Sequence, residues 1–233
     1  MIRRKEDISS LPKSSPRYRI TATLLNSWQR IFTVKDDTFF NEEKSEVSYE
    51  DFLQIEKSKR EEEFINLLNR IPTPDNEFMK KGREFEDVVC RGYDAKFSPY
   101  VKNGAFQVTI TKDVDIDGVP ITLYGVLDVL KRGRIMDIKR VVRYKYPKYI
   151  TSHQHPLYLF LVPEAIDFTY LIADNNIESK NPETVEKGYH LEHYTRENCE
   201  DILEVCSRFI SYLKTNGLFE IFIEKWQMKE RKY

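Results

Sequence analysis

Between Ala105 and Val142 the chain reads as three strands joined by two very short turns, and few architectures accommodate that pattern. The runs are AFQVTITKDV, VPITLYGVLDVL and RIMDIKRVV, separated by DIDG and by KRG. They are rich in β-branched residues, and Gly-containing links of this length join neighbouring antiparallel strands. The second and third strands each carry an aspartate, Asp128 and Asp137, and Lys139 stands two positions beyond the latter. A carboxylate inside a sheet is costly unless something pairs with it, so either these strands border water or a cation is expected there.

Strand parity sharpens the point. Side chains alternate between faces, so Ile135, Asp137, Lys139 and Val141 share one side. Antiparallel pairing through the KRG turn brings Asp128 close to that side. Two carboxylates converging on one point repel each other unless a divalent cation lies between them. Oxygen-only donors suit Mg²⁺ or Mn²⁺ better than Zn²⁺. Taken alone, Asp-x-Lys also describes an ordinary surface pair on an edge strand, in a chain in which 32% of residues are charged.

The segments around the meander are predicted to be mostly helical. Residues 17–33 fit a short helix capped by Thr21 or Thr23, with Leu24, Leu25, Trp28, Ile31 and Phe32 as its apolar stripe. Ser48 caps a second helix, Asp51 reaching back to it, and the prolines of IPTPDN end that helix. A third runs from about Asn76 into the nineties with Phe85, Val88, Val89 and Tyr93 inward and Glu86 flanking the stripe. Residues 147–162 read as a helix, IDFTYLIAD and GYHLEHY as strands, and residues 196–216 as an amphipathic helix capped by Thr195. Helix, three strands, helix and strand make an α/β core with one mixed sheet.

Composition removes several classes. The start, MIRRKEDISS, lacks an apolar h-region, and no window approaches about 18 apolar residues, so a cytoplasmic protein with no membrane contact is expected. Cys90, Cys199 and Cys206 do not suggest a disulfide framework. The latter two fall seven residues apart on one predicted helix, about 10 Å, and buried thiols are the expectation. His190 and His193 would lie on opposite faces of a strand and Pro156 crowds His153 and His155, so surface or helix-end histidines fit better than zinc ligands. No Walker-type loop is present.

The formal net charge of −1 conceals an uneven distribution: residues 36–63 hold eleven acids, whereas residues 131–148 hold eight basic residues and one acid. On charge alone the second segment is a solvated hairpin rim or a nucleic-acid surface.

Gly82-x-x-x-Glu86, Gly125-Val-Leu-Asp128, Asp137-Ile-Lys139 and Gln154-x-x-x-Tyr158 resemble, in order, spacing and element type, the motifs of the PD-(D/E)XK nuclease superfamily. The resemblance is to its RecB-like and phage lambda exonuclease-like branch and covers about residues 80–175; Thr21 to Trp28 is similar to the small opening helix of RecB-like nucleases. It implies a restriction-endonuclease-like core, a central mixed β-sheet flanked by helices, over residues 76–233 with a C-terminal helix. Residues 1–75 are then an N-terminal helical extension packed on that core.

The resemblance implies that Asp128 and Asp137 bind Mg²⁺ or Mn²⁺ with the backbone carbonyl of Ile138, and that Glu86 takes the family's metal-binding position on the first core helix. Lys139 then assists the attacking water, and Gln154 and Tyr158 position DNA from one face of a helix. Pro156 between them departs from an easy match unless the helix starts near Ser152, and a core Tyr with a capping Gln is the plain alternative. The cysteine pattern of iron–sulfur members is absent, and no cluster is expected. Beside the catalytic strand, Arg140, Arg143, Lys145 and Lys148, interleaved with Tyr144, Tyr146 and Tyr149, are expected to meet DNA phosphates or stack on unpaired bases.

The function so implied is a metal-dependent deoxyribonuclease: an exonuclease on linear DNA ends, in recombination or end processing, phage-encoded, acting as a homo-oligomer or with a recombination partner. The rivals are a catalytically silent nuclease-fold module that binds nucleic acid or a protein partner, and an interaction protein built on the acidic N-terminal helices.

Overall fold

The computed structural model describes residues 16–34, 47–174 and 188–228, so the first part of the acidic run, 36–46, lies outside the described residues. In chain order come strand β1 (Tyr18–Thr21), helices α1 (Ala22–Arg30), α2 (Tyr49–Leu68), α3 (Glu77–Cys90) and α4 (Ser98–Val101), and strands β2 (Ala105–Ile116), β3 (Val119–Lys131) and β4 (Arg134–Val141). Helix α5 (Gln154–Leu161), strands β5 (Asp167–Asp174) and β6 (Gly188–Tyr194), and helices α6 (Ile202–Thr215) and α7 (Phe219–Lys225) follow.

This is an α/β fold whose central sheet has the order β1-β3-β4-β5-β6, with β2 paired to β3. The sheet is mixed: β1 with β3 and β4 with β5 are parallel, β3 with β4 and β5 with β6 antiparallel. The two short turns of the meander form as the sequence expects. Asp117 and Gly118 in the first, and Arg132 and Gly133 in the second, all have positive φ, as a type I′ hairpin turn requires.

Contacts group the chain into two compact units. Of the described residues, one holds those up to Ile71, Thr111–Tyr124 and those from Leu203; the other holds Pro72–Ile110 and those between Gly125 and Ile202. In the first, Trp28 meets Phe209 edge-on at 5.5 Å, and Phe209 meets Phe64 at 6.3 Å and Phe222 at 5.9 Å. Thr21 caps α1 by accepting the Leu24 amide at 3.3 Å, and Ser48 caps α2 by accepting that of Asp51 at 3.1 Å. Two expectations change here. Residues 18–21 are a strand lying parallel to Ile121–Tyr124, because pairing with β3 satisfies backbone groups that a single helical turn would leave open. Phe32 is 60% exposed, since α1 ends before it.

In the second unit one face of the sheet is apolar: Val129, Met136, Ile138 and Leu171 pack with Val89 of α3 and with Phe97. Helix α3 stops earlier than the sequence spacing predicts. Gly92, with φ 88°, follows Arg91, and the amides of Gly92 and Tyr93 turn back onto the carbonyls of Val89 and Val88, a Schellman ending. Tyr93 is therefore outside the helix and exposed, and Val88 is exposed as well.

The predicted helix over 147–162 is shorter too, beginning only at Gln154, because the amides of Lys148 and Tyr149 are taken by the Glu192 carboxylate instead of by a helical turn. After Thr195 there is one 3₁₀ turn, Arg196–Asn198, and α6 starts at Ile202. The Arg196 guanidinium binds the carbonyls of Leu159, Val162 and Pro163, which ties this segment to the end of α5; the Thr195 hydroxyl donates to the Asn198 side chain rather than capping a helix. Cys199 thus lies outside α6, and only Cys206 of the three cysteines is fully buried. Among the described residues no helix is long and apolar enough to cross a membrane.

Candidate active site

The antiparallel ladder of β3 and β4 runs from Lys131↔Arg134 to Val129↔Met136. At the next position the Asp128 carboxylate breaks into the pattern and accepts the amide of Ile138 at 3.0 Å. Asp128 is thereby held beside Asp137. The sequence expectation that the two acids meet at this point of the sheet agrees with that geometry.

Asp137 is 1% exposed. One of its oxygens, Oδ1, accepts the Gln154 side-chain amide, and Lys139 Nζ lies 2.6 Å from the other. Asp137 Oδ2 is buried and has the Lys139 ammonium as its ion-pair partner. Two converging acids against one lysine leave an excess of negative charge, which suits a further cation.

Burial pushes the Asp128 carboxyl up to about 8, and the neighbouring Asp137 carboxylate adds to the rise. Burial also raises Glu86, as does Asp137. Burial alone lowers Lys139, but the Asp137 and Asp128 carboxylates outweigh it and hold the ammonium above the ordinary lysine value. Lys139 is therefore a fixed positive charge against an excess of acid.

Glu86, on α3, stands within electrostatic reach of Asp128 and Asp137, while its carboxylate is bound by the Gln107 side-chain amide. Among the described residues no group of three or more His, Cys, Asp or Glu is drawn together as a ready metal cage. The donors that suit Mg²⁺ or Mn²⁺ are the oxygens of Asp128 and Asp137, with the Ile138 carbonyl as the backbone candidate.

Helix α5 starts at Gln154, which puts Pro156 in its first turn, where the missing amide costs nothing. Gln154 and Tyr158 consequently share a helix face: Gln154 binds Asp137 and also hydrogen-bonds Tyr158. Tyr158 is buried, and a Cβ placed on Gly125 would approach its ring to 2.8 Å. This explains the glycine three residues before Asp128. Gly125→Ala is expected to displace Tyr158 and Gln154, destabilising the fold by about 1–3 kcal/mol and lowering any activity of the site. A melting curve within about 1 °C of the parent would contradict this.

Three basic residues from the end of β4 and the segment after it gather in one place. Arg140, Arg143 and Lys148 line a cleft of about 440 Å³ together with Phe78 and Lys81 of α3. Lys145 is exposed and does not line it. Of the histidines, His153 stands at the N-cap of α5 and His155 lies in its first turn, the helix-end placement expected, but both are buried; His155 stacks on Tyr194 at 3.9 Å, and burial pulls its pKa down to about 4. His193 pairs with Thr169 at 2.9 Å.

Sequence reasoning missed Gln107 and Glu192 around this site, and it gave Tyr149 only a base-stacking role. Gln107 holds Glu86 from a left-handed backbone conformation, φ 51°, in β2, and nothing in the sequence marks it. Tyr149 stacks on Tyr170 at 4.4 Å and lies near Lys139 and Asp137. Glu192 is 1% exposed and anchors the loop after β4. The single acidic residue within the strand GYHLEHY was the available signal.

No family model and no curated protein match the chain. Among solved structures it is similar to the crystal structure of SSO0001, at 13% identity over 89% of this chain and 80% of that one, with a TM-score of 0.44. It is also similar to LHK-Exo in complex with dAMP, at 15% identity over 84% of this chain and 88% of that one, with a TM-score of 0.44.

Proposed function

We propose that the chain is a divalent-metal-dependent nuclease that hydrolyses phosphodiester bonds in DNA, of the PD-(D/E)XK type in its RecB-like and lambda exonuclease-like branch. The observation that carries this reading is the convergence of Asp128 on the buried Asp137, which faces Lys139 at 2.6 Å, with Glu86 in electrostatic reach. Bound Mg²⁺ or Mn²⁺, held by Asp128, Asp137 and the Ile138 carbonyl with Glu86 close by, supplies Lewis-acid stabilisation of the phosphate oxygens.

The remaining work falls to this chain's own side chains. Lys139 orients the attacking water and offsets the negative charge that builds on the phosphorus oxygens. Gln154 fixes one oxygen of Asp137, and the other faces Lys139. Tyr158 supports Gln154 from the same helix face. Arg140, Arg143 and Lys148 meet the phosphates of the strand, which gives affinity with little sequence selectivity. Lys145 adds general charge.

Within this reading the enzyme is an exonuclease acting on linear ends in recombination or end processing. The test is incubation of end-labelled linear, nicked and circular DNA with Mg²⁺, with Mn²⁺ and with EDTA. Linear DNA degraded only in the presence of metal, with circles spared, is the expected result. Cleavage of circles identifies an endonuclease; DNA binding without turnover under any of these conditions identifies a silent module.

A further inference from the structure

Strand register sets two rows of side chains across the sheet. Asp137 of β4 pairs with Tyr170 of β5, which pairs with Glu192 of β6; Lys139, Ile172 and His190 make the adjacent row on the same face. The loop from Val142 to Tyr149 leaves the end of β4 and folds back over these rows. Tyr149 stacks on Tyr170 at 4.4 Å and Tyr144 stacks on His190 at 4.2 Å.

Two carboxylates catch the loop by its backbone. Asp174 accepts the Tyr144 amide at 2.9 Å, and Glu192 accepts those of Lys148 at 2.7 Å and Tyr149 at 3.1 Å. Glu192 also accepts the Tyr194 hydroxyl at 2.6 Å and that of Tyr144. Burial would raise this carboxyl, but the donors outweigh it and hold its pKa below the ordinary value, so the charge persists. A buried carboxylate satisfied by two successive amides from a loop is a strong local anchor. What it anchors is Tyr149, whose neutral hydroxyl lies in the field of Lys139 and Asp137, and Lys148, which lines the basic cleft.

We propose that Glu192 is a positioning residue of the site: through the Lys148 and Tyr149 amides it holds the loop after β4 in the one arrangement that sets Tyr149 beside Asp137 and Lys139 and lines the cleft with Arg143 and Lys148. It rests on the nuclease reading. The substrate-side consequence is that Glu192 governs how a DNA strand is seated, more than the bond-breaking step.

The experiment measures kcat and KM on a linear oligonucleotide duplex with Mg²⁺ for the full chain carrying Glu192→Ala, Glu192→Gln, Tyr149→Ala and the double variant Glu192→Ala/Tyr149→Ala. Glu192→Ala is expected to raise KM about tenfold and to lower kcat less. Glu192→Gln, which keeps an acceptor oxygen, falls between it and the parent. Tyr149→Ala shifts KM in the same direction, and the double variant is no worse than Glu192→Ala alone, because the two act as one unit. KM within twofold of the parent in Glu192→Ala, or full additivity in the double variant, overturns the proposal. Should Glu192→Ala fail to fold, an unchanged KM in both Glu192→Gln and Tyr149→Ala overturns it equally. These outcomes are separable from failure of the nuclease reading, which shows as a parent chain that does not cleave with Mg²⁺ or as Lys139→Ala cleaving like the parent.

Discussion

Lys139→Ala is expected to lose Mg²⁺-dependent DNA cleavage by at least about 100-fold while keeping its fold and its affinity for the metal. The magnitude follows from losing one preorganised charge that acts on the transition state in a water-poor site. The side chain lies 2.6 Å from Asp137 Oδ2 and is held protonated by two carboxylates, so its loss removes positive charge where the reaction builds negative charge. A bound cation compensates Asp128 and Asp137 in its place, which is why metal binding survives. Lys139→Arg is not expected to rescue, because a planar guanidinium cannot occupy the position of a compact ammonium. The check is a pair of measurements on one preparation, cleavage of end-labelled linear DNA and the Mg²⁺-induced change in melting temperature. Cleavage within tenfold of the parent would sink the assignment of Lys139. Loss of both readouts together would instead show that the lysine serves the fold.

The second large effect concerns Asp128, whose carboxyl is pushed up to about 8 by burial and by Asp137, from an ordinary value of 3.8. A carboxyl raised in the folded state binds a proton that the unfolded chain has already released. Its contribution to stability is present below the unfolded value and is lost as pH rises through the folded one. In EDTA the protein is therefore expected to lose about 2 kcal/mol between pH 6.5 and 8.5, or roughly 4–8 °C in melting temperature. The window avoids the opposing effect of His155, whose pKa of about 4 makes stability rise with pH at the acid end. Mg²⁺ should reverse the loss, and stabilise more at pH 8.5 than at 6.5, because it displaces a proton at the lower pH. Asp128→Asn should flatten the profile in EDTA and abolish the Mg²⁺ response. A metal-free protein equally stable across the window, or an Asn variant that still responds to Mg²⁺, contradicts this account.

Much of the arrangement behind these expectations was legible in the order of residues. The two hairpin turns, the caps at Thr21 and Ser48 and the meeting of Asp128 with the strand of Asp137 and Lys139 follow from rules acting over a few residues. A strand alternates faces, a type I′ turn needs positive φ, and a helix start needs an acceptor. Pro156, an obstacle in the sequence reading, is accommodated because α5 starts at Gln154. The register of β3 on β4 then follows from the turn between them.

What local rules could not supply was decided by partners far away in sequence. Glu192 stands 44 residues from Lys148 and suppresses the helix that the local pattern predicts there. Gln107 reaches Glu86 from a strained position in β2, and Tyr18–Thr21 extends as a strand only because β3 lies beside it. The placement of Asp137 and Lys139 on one side of the sheet was written in the sequence, since strand parity needs no knowledge of the fold. The protonation of the acids and the lysine, and the backbone that holds the loop over them, came from tertiary structure, because burial and long-range hydrogen bonds exist only once the chain has closed on itself.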